Sequence, residues 1–140
     1  MILVLVAEIV SALVALALVI ALLVQLARSV RAKSPAIASD ESRVRHRMLS
    51  AILLVAVIVH GASATIYASG AHPLSYAFGW LALALLLASG LCMVPAIRSR
   101  LARASTWHSG FFVAAVALIV AHAVAGRSGG LCGLACGKRD

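Results

Sequence analysis

Trp107-His108-Ser109-Gly110-Phe111-Phe112 opens an apolar segment that runs on to Ala121-His122-Ala123. Its two histidines stand fourteen residues apart, and the segment from Arg45-His46-Arg47 to Val59-His60-Gly61 repeats that spacing to the residue. At about 100° per residue, fourteen residues make four helical turns less roughly 40°, with about 21 Å of rise. Each pair of histidines therefore lies on nearly one face of an apolar helix. That face decides the reading of the chain.

Around these segments, 64% of the 140 residues are hydrophobic and 11% are charged. A soluble domain of this size must face water over most of its surface, and such a composition excludes it. Four apolar runs reach the roughly 20 residues that a membrane-crossing helix needs: Met1–Ala27, His46–Ser69, Leu74–Ile97 and Thr106–Gly126. The fold expected is an all-α membrane protein, a four-transmembrane-helix up-down bundle over residues 1–126. A Gly/Cys-containing extracytoplasmic tail, 127–140, follows it.

The net charge of +8 does not point to a nucleic acid, because the basic residues mark loops. Arg28, Arg31, Lys33, Arg43, Arg45 and Arg47 fall between or beside the first two spans, and Arg98, Arg100 and Arg103 between the third and fourth. The short loop 70–73 holds none. By the positive-inside rule the basic side is cytoplasmic. The expectation is an integral protein of a bacterial-type inner or cell membrane, with lipid around it and both termini extracytoplasmic. Ala36-Ile37-Ala38 imitates a signal-peptide cleavage site. The first run, however, has no basic residue before it, is too long, and is followed by positive charge, so it reads as a retained helix. No phosphate-binding or dinucleotide-binding glycine pattern occurs.

Within the spans the polar residues are few. Glu8 and Gln25 interrupt the first helix. Glu8 reads either as an interfacial carboxylate or as an acid with a quinol or proton role. Ser39-Asp40-Glu41 supplies a cap and an acidic first turn, so the second helix can begin near Asp40 with His46 inside it. Gly79 and Gly90 lie eleven residues apart, about 20° from eclipsed. They suit close helix packing, clearance for a flat macrocycle, or both. Cys92 reads as a small core hydrophobe. Cys132 and Cys136 would be free to pair in an oxidising outer compartment, and His72 is a loop residue.

Neutral imidazole ligates iron well and is costly in hydrocarbon without a partner. In an up-down bundle the second and fourth spans run parallel, which brings His46 level with His108 and His60 level with His122. Each pair can ligate one haem iron from both sides, so two b-type haems would stack across the membrane. A purely structural role, with His60 and His122 bonded to backbone carbonyls or to neighbours such as Ser63, leaves the matched spacing unexplained. Gly61 and Gly110, beside His60 and His108, would leave room for porphyrin edges. Arg43, Arg45, Arg47, Arg98, Arg100, Arg103 and Arg127 are the cations available to propionates.

Two His-x13-His helices of this kind resemble the cytochrome b of respiratory bc complexes. They equally resemble the transmembrane domains of ferric reductases and NADPH oxidases. Arg47-Met48-Leu49-Ser50-Ala51 running on to His60, and Trp107-His108-Ser109-Gly110 running on to His122-Ala123, carry the likeness. It covers residues 45–127 and rests on spacing more than on identity. It implies that His46 and His108 hold the cytoplasmic-side haem and that His60 and His122 hold the outer one. No flavin, nicotinamide or quinone-site motif accompanies these helices, so the likeness implies haem ligation and electron transfer without naming donor or acceptor. The function expected is a small dihaem cytochrome, an electron-transfer subunit of a larger oxidoreductase. It would need an extracytoplasmic redox subunit or domain, a quinol, or both. The rival readings are a small four-helix transporter with Glu8 as its coupling acid, and a cofactor-free membrane anchor.

Overall fold

The computed structural model describes residues 2–32, 40–67 and 73–136, with the backbone alone at 32, 67 and 127–136. All of its regular elements are helices: α1 (Ile2–Ala32), α2 (Asp40–Tyr67), α3 (Pro73–Leu91), α4 (Pro95–Arg98) and α5 (Ala104–Cys136). Four of them are long and apolar enough to cross a membrane: α1, α2, α3 and α5, the last over Ala104–Gly126. Between 6% and 22% of each crossing segment is buried within the protein. Large side chains such as Leu3, Ile66, Leu74 and Val124 point outward. In water that arrangement would expose a continuous apolar surface; in lipid it is the solvated one. The chain is an all-α integral membrane protein.

The helices form two compact units, residues 1–69 and 70–140. In the first, α1 packs on α2; in the second, α3 packs on α5. Each is an antiparallel hairpin of apolar helices. The first hairpin buries Val19 and Leu22 of α1 with Leu53 and Ala56 of α2, and the second buries Ala82 and Leu83 of α3 with Ala115 of α5. Small residues at such contacts let the backbones approach, which is how helices gain packing energy in lipid.

Local chemistry sets the helix ends. α2 starts at Asp40, where the acidic first turn was expected to start it, six residues before the apolar run. Its first turn carries Asp40 and Glu41, which complement the positive end of the helix dipole. Arg43 pairs with Asp40 at 3.3 Å and Arg45 with Glu41 at 2.8 Å. α3 begins on Pro73, a residue suited to the first helical position. It ends at Leu91, short of the Ile97 expected from the apolar run. Pro95 accounts for this: it has no N–H to donate, and its ring would collide with the carbonyl four residues back, that of Leu91. Val94 turns to extended backbone (φ −65°, ψ 129°) and Pro95 opens the short α4.

Arg103 takes φ 61°, a left-handed conformation unusual for a residue with a Cβ. Its carbonyl accepts the N–H groups of Thr106 and Trp107 at 2.9 and 3.2 Å and so starts α5. α5 then passes Gly126, where the sequence suggested an end, and continues to Cys136. Its glycines lower helix propensity, but no proline interrupts the hydrogen bonding. Ten residues of the expected tail are therefore helical. The Cys132–Cys136 pairing that an oxidising compartment would permit, and the loop position of His72, lie outside the described side chains. Cys92 is a buried free thiol.

Candidate functional site

Each hairpin carries its histidines on its second helix. All four rings are half-buried, and each presents Nδ1 to a group on the first helix of its own hairpin.

In the α3–α5 hairpin the partners are two serines. Ser75 and Ser89 stand fourteen residues apart on α3, matching His122 and His108 in antiparallel register. Nδ1 of His108 donates to the Ser89 carbonyl at 2.8 Å, while the Ser89 hydroxyl donates to the His108 carbonyl at 2.9 Å. The Ser89 Oγ also lies 2.9 Å from Nδ1. At the other end, Nδ1 of His122 donates to the Ser75 carbonyl at 2.7 Å. The Ser75 hydroxyl donates to the His122 carbonyl at 3.1 Å, with Oγ 3.0 Å from Nδ1. Both serines are buried. Each serine–histidine pair is thus bonded in both directions across the helix interface.

Helix geometry makes one of these acceptors available. Near the end of α3, the Met93 N–H bonds the Gly90 carbonyl at 3.0 Å instead of the Ser89 carbonyl four residues back. The last carbonyls of a helix lack intrahelical donors. The His108 imidazole supplies one.

Gly79 contributes by being small. A Cβ at this position would stand 3.2 Å from Nδ1 of His122 and 3.4 Å from its Cε1. Of the two roles the sequence left open for Gly79, close helix packing is the one these contacts describe, with the imidazole of His122 beside it. One turn beyond His122, a Cβ on Gly126 would lie 3.4 Å from the Ser75 hydroxyl, so α3 and α5 approach closely at this end. Gly61, Gly90 and Gly110, the other glycines expected to flank a cofactor, have open space where a Cβ would project. The Gly79–Gly90 strip therefore splits into one packed member and one open member.

In the α1–α2 hairpin, Nδ1 of His46 lies 3.2 Å from the Gln25 side-chain oxygen, and Nδ1 of His60 lies 3.3 Å from the Glu8 carbonyl. Gln25 has its own counterpart fourteen residues earlier, the buried Ser11. Ser11 occupies the register position that Ser75 holds in the other hairpin, but its hydroxyl donates within α1, to the carbonyls of Ala7 (2.6 Å) and Glu8 (3.0 Å). His60 meets the carbonyl of Glu8; the part of Glu8 that the hairpin uses is backbone.

These contacts have one chemical consequence. A carbonyl oxygen can only accept, so a neutral imidazole facing it carries its proton on Nδ1 and keeps its lone pair on Nε2. With the Gln25 oxygen as acceptor the same holds for His46. Ligating histidines are commonly oriented by just such a bond from the second ring nitrogen. An imidazole held in this way has the donor chemistry that a haem iron would take. Among the described residues no three His, Cys, Asp or Glu side chains gather in one place. An open groove of about 510 Å³ along α2, lined by Glu41, Val44, Arg45, Met48, Leu49 and Ile52, includes none of the histidines.

Sequence reasoning singled out all four histidines and missed the serines. The signal was present, since Ser75–Ser89 and Ser11–Gln25 repeat the fourteen-residue step on the preceding helices. No protein-family model, curated protein or solved structure matches this chain.

Proposed function

We propose that this protein is a small b-type cytochrome of the membrane, with His46, His60, His108 and His122 as axial ligands of two haems. The observation that carries the reading is the repeated presentation of the imidazoles. In each hairpin two histidines a helical length of about 21 Å apart turn Nδ1 to an acceptor on the neighbouring helix, the arrangement that leaves Nε2 as the basic nitrogen. A haem iron so ligated would supply one-electron transfer. The residues of the chain hold the imidazoles and set their tautomer.

The distribution of arginines supports an orientation with residues 33–39 and 92–103 on the cytoplasmic side. No flavin, nicotinamide or iron–sulfur motif occurs in the sequence, so the electrons are exchanged with a redox subunit or domain, a quinol, or both. The protein acts as an electron-transfer component of a membrane oxidoreductase.

The test is optical. Purified in detergent, the protein should be red, show a reduced-minus-oxidised b-type band and carry about two haems per chain by pyridine haemochrome assay. A colourless protein, still colourless after haem is supplied during expression, would sink the proposal and leave an anchor or a transporter.

A further inference from the structure

We infer that Ser89 and Ser75 are positioning residues, each orienting the histidine opposite it and setting the redox equilibrium of the iron that His108 or His122 would ligate. The inference rests on the haem reading and goes beyond it. It assigns to two residues of α3 a control that ligand spacing alone does not provide.

Geometry distinguishes these serines from ordinary packing residues. A serine in an apolar helix commonly returns its hydroxyl to the carbonyl three or four residues back in its own helix, as Ser11 does here. Ser75 and Ser89 cross the interface instead. Each donates to the backbone carbonyl of the histidine and takes up the space beside the histidine's Nδ1. The two bonds per pair restrain different things: the hydroxyl-to-carbonyl bond fixes the height of α5 against α3, and the contacts at Nδ1 fix the plane of the ring.

The chemistry follows from what the Nδ1 proton faces. In each pair the serine carbonyl and the serine Oγ both stand within 3.0 Å of Nδ1. Two acceptors pull electron density toward Nε2 and make it a stronger donor to iron, which favours the ferric state. Removing one acceptor weakens that donation and shifts the equilibrium toward the ferrous state. Because His108 and His122 lie about 21 Å apart on α5, they belong to different haems, and each serine should address one haem alone.

The experiment compares the full-length protein with Ser89→Ala, Ser75→Ala, Ser89→Thr and Ser75→Thr by redox titration and by the EPR g-values of the oxidised haems. Ser89→Ala should retain about two haems and move the redox equilibrium of one about tenfold toward reduction, near 59 mV for one electron, with a changed g-value at that haem. Ser75→Ala should do the same at the other haem. The threonine variants keep the hydroxyl and should stay within about twofold of the parent. Outright loss of one haem in an alanine variant, with retention in its threonine counterpart, supports the assignment equally. Unchanged potentials and g-values in both alanine variants would overturn it while leaving the haem reading intact. Equal shifts in alanine and threonine variants would overturn it too, because packing and not the hydroxyl would be responsible. A parent protein without haem would overturn the haem reading itself, and this assignment with it.

Discussion

In the α3–α5 hairpin the Nδ1 atoms stand 2.7 and 2.8 Å from backbone carbonyls, each backed by a buried serine hydroxyl. In the α1–α2 hairpin the corresponding distances are 3.2 and 3.3 Å, at or past the long end of N–H···O bonds. One of those acceptors is a flexible glutamine side chain. The spacing of histidines is identical in the two hairpins, so the difference comes from the helices that precede them. α3 offers serines at both levels and a glycine beside His122; α1 offers Gln25 at one level and, at the other, a serine whose hydroxyl is bonded to its own helix. The comparison teaches that matched histidine spacing does not make matched surroundings. The α3–α5 pair is clamped, and the α1–α2 pair meets its Nδ1 acceptors at longer range.

If the proposed haems are bound, the largest expected effect is loss of cofactor. Alanine at any one of His46, His60, His108 or His122 should lower bound haem from about two per chain toward one. The two histidines of one hairpin, about 21 Å apart, should remove different haems, separable by their redox midpoints. If His108→Ala and His122→Ala abolished the same spectral species, the assignment of the α3–α5 histidines to different haems would fail. His72→Ala should keep both haems.

Next comes the glycine contrast. Gly79→Ala places a methyl group 3.2 Å from Nδ1 of His122, so the ring must shift. A cost of about 1–3 kcal/mol, the usual range for overpacking, should appear as a lower Tm, together with weaker haem retention at the His122 level. Gly90→Ala, Gly61→Ala and Gly110→Ala meet open space and should leave Tm and haem content near the parent values. Equal behaviour at Gly79 and Gly90 would remove the distinction drawn here between packed and open glycines.

A smaller effect tests the weaker clamp. Gln25→Ala removes the contact at Nδ1 of His46 and should cost about 0.5–1.5 kcal/mol, the ordinary net worth of one hydrogen bond, read in thermal unfolding monitored at the haem band. Ser11→Ala should cost less, since its hydroxyl bonds only its own helix among the contacts described. Were Ser11→Ala as damaging as Ser89→Ala, the hairpins would be more alike than their distances indicate.

Smallest of all is the Glu41–Arg45 pair at the start of α2. Both side chains are largely exposed, and Arg45→Ala should change Tm by no more than a few tenths of a kcal/mol allows. A large loss of haem in that variant would give Arg45 a part that the geometry near it does not suggest.

What could be read from the sequence follows the range of the forces involved. Membrane-length helices depend on consecutive apolar residues, a property of the chain alone, and α1, α2, α3 and α5 stand where the apolar runs are. The acidic start of α2 was equally legible, because a capping signal and a first-turn charge act over three or four residues. The break after Leu91 was legible in principle from Pro95, whose ring acts on the carbonyl four positions back, but the hydropathy of the run concealed it. The continuation of α5 to Cys136 was concealed by glycines, which weaken a helix without ending it.

The histidines themselves were fixed by periodicity: fourteen residues bring two side chains to one face in any α-helix. Their partners were not. That Ser89 meets His108 and Ser75 meets His122, while Ser11 turns back into α1, depends on the height and closeness at which two helices pack. Those quantities belong to the interface and to no single helix. Gly79 shows the same limit, since its sequence position suited close packing or a cofactor alike and only the approach of α5 set the imidazole of His122 beside it. Sequence alone determined which residues lie on one face and that the helices belong in lipid. Tertiary packing decided which carbonyl takes each Nδ1 proton, because a hydrogen bond a few tenths of an ångström longer or shorter is set by the sum of many side-chain contacts between helices.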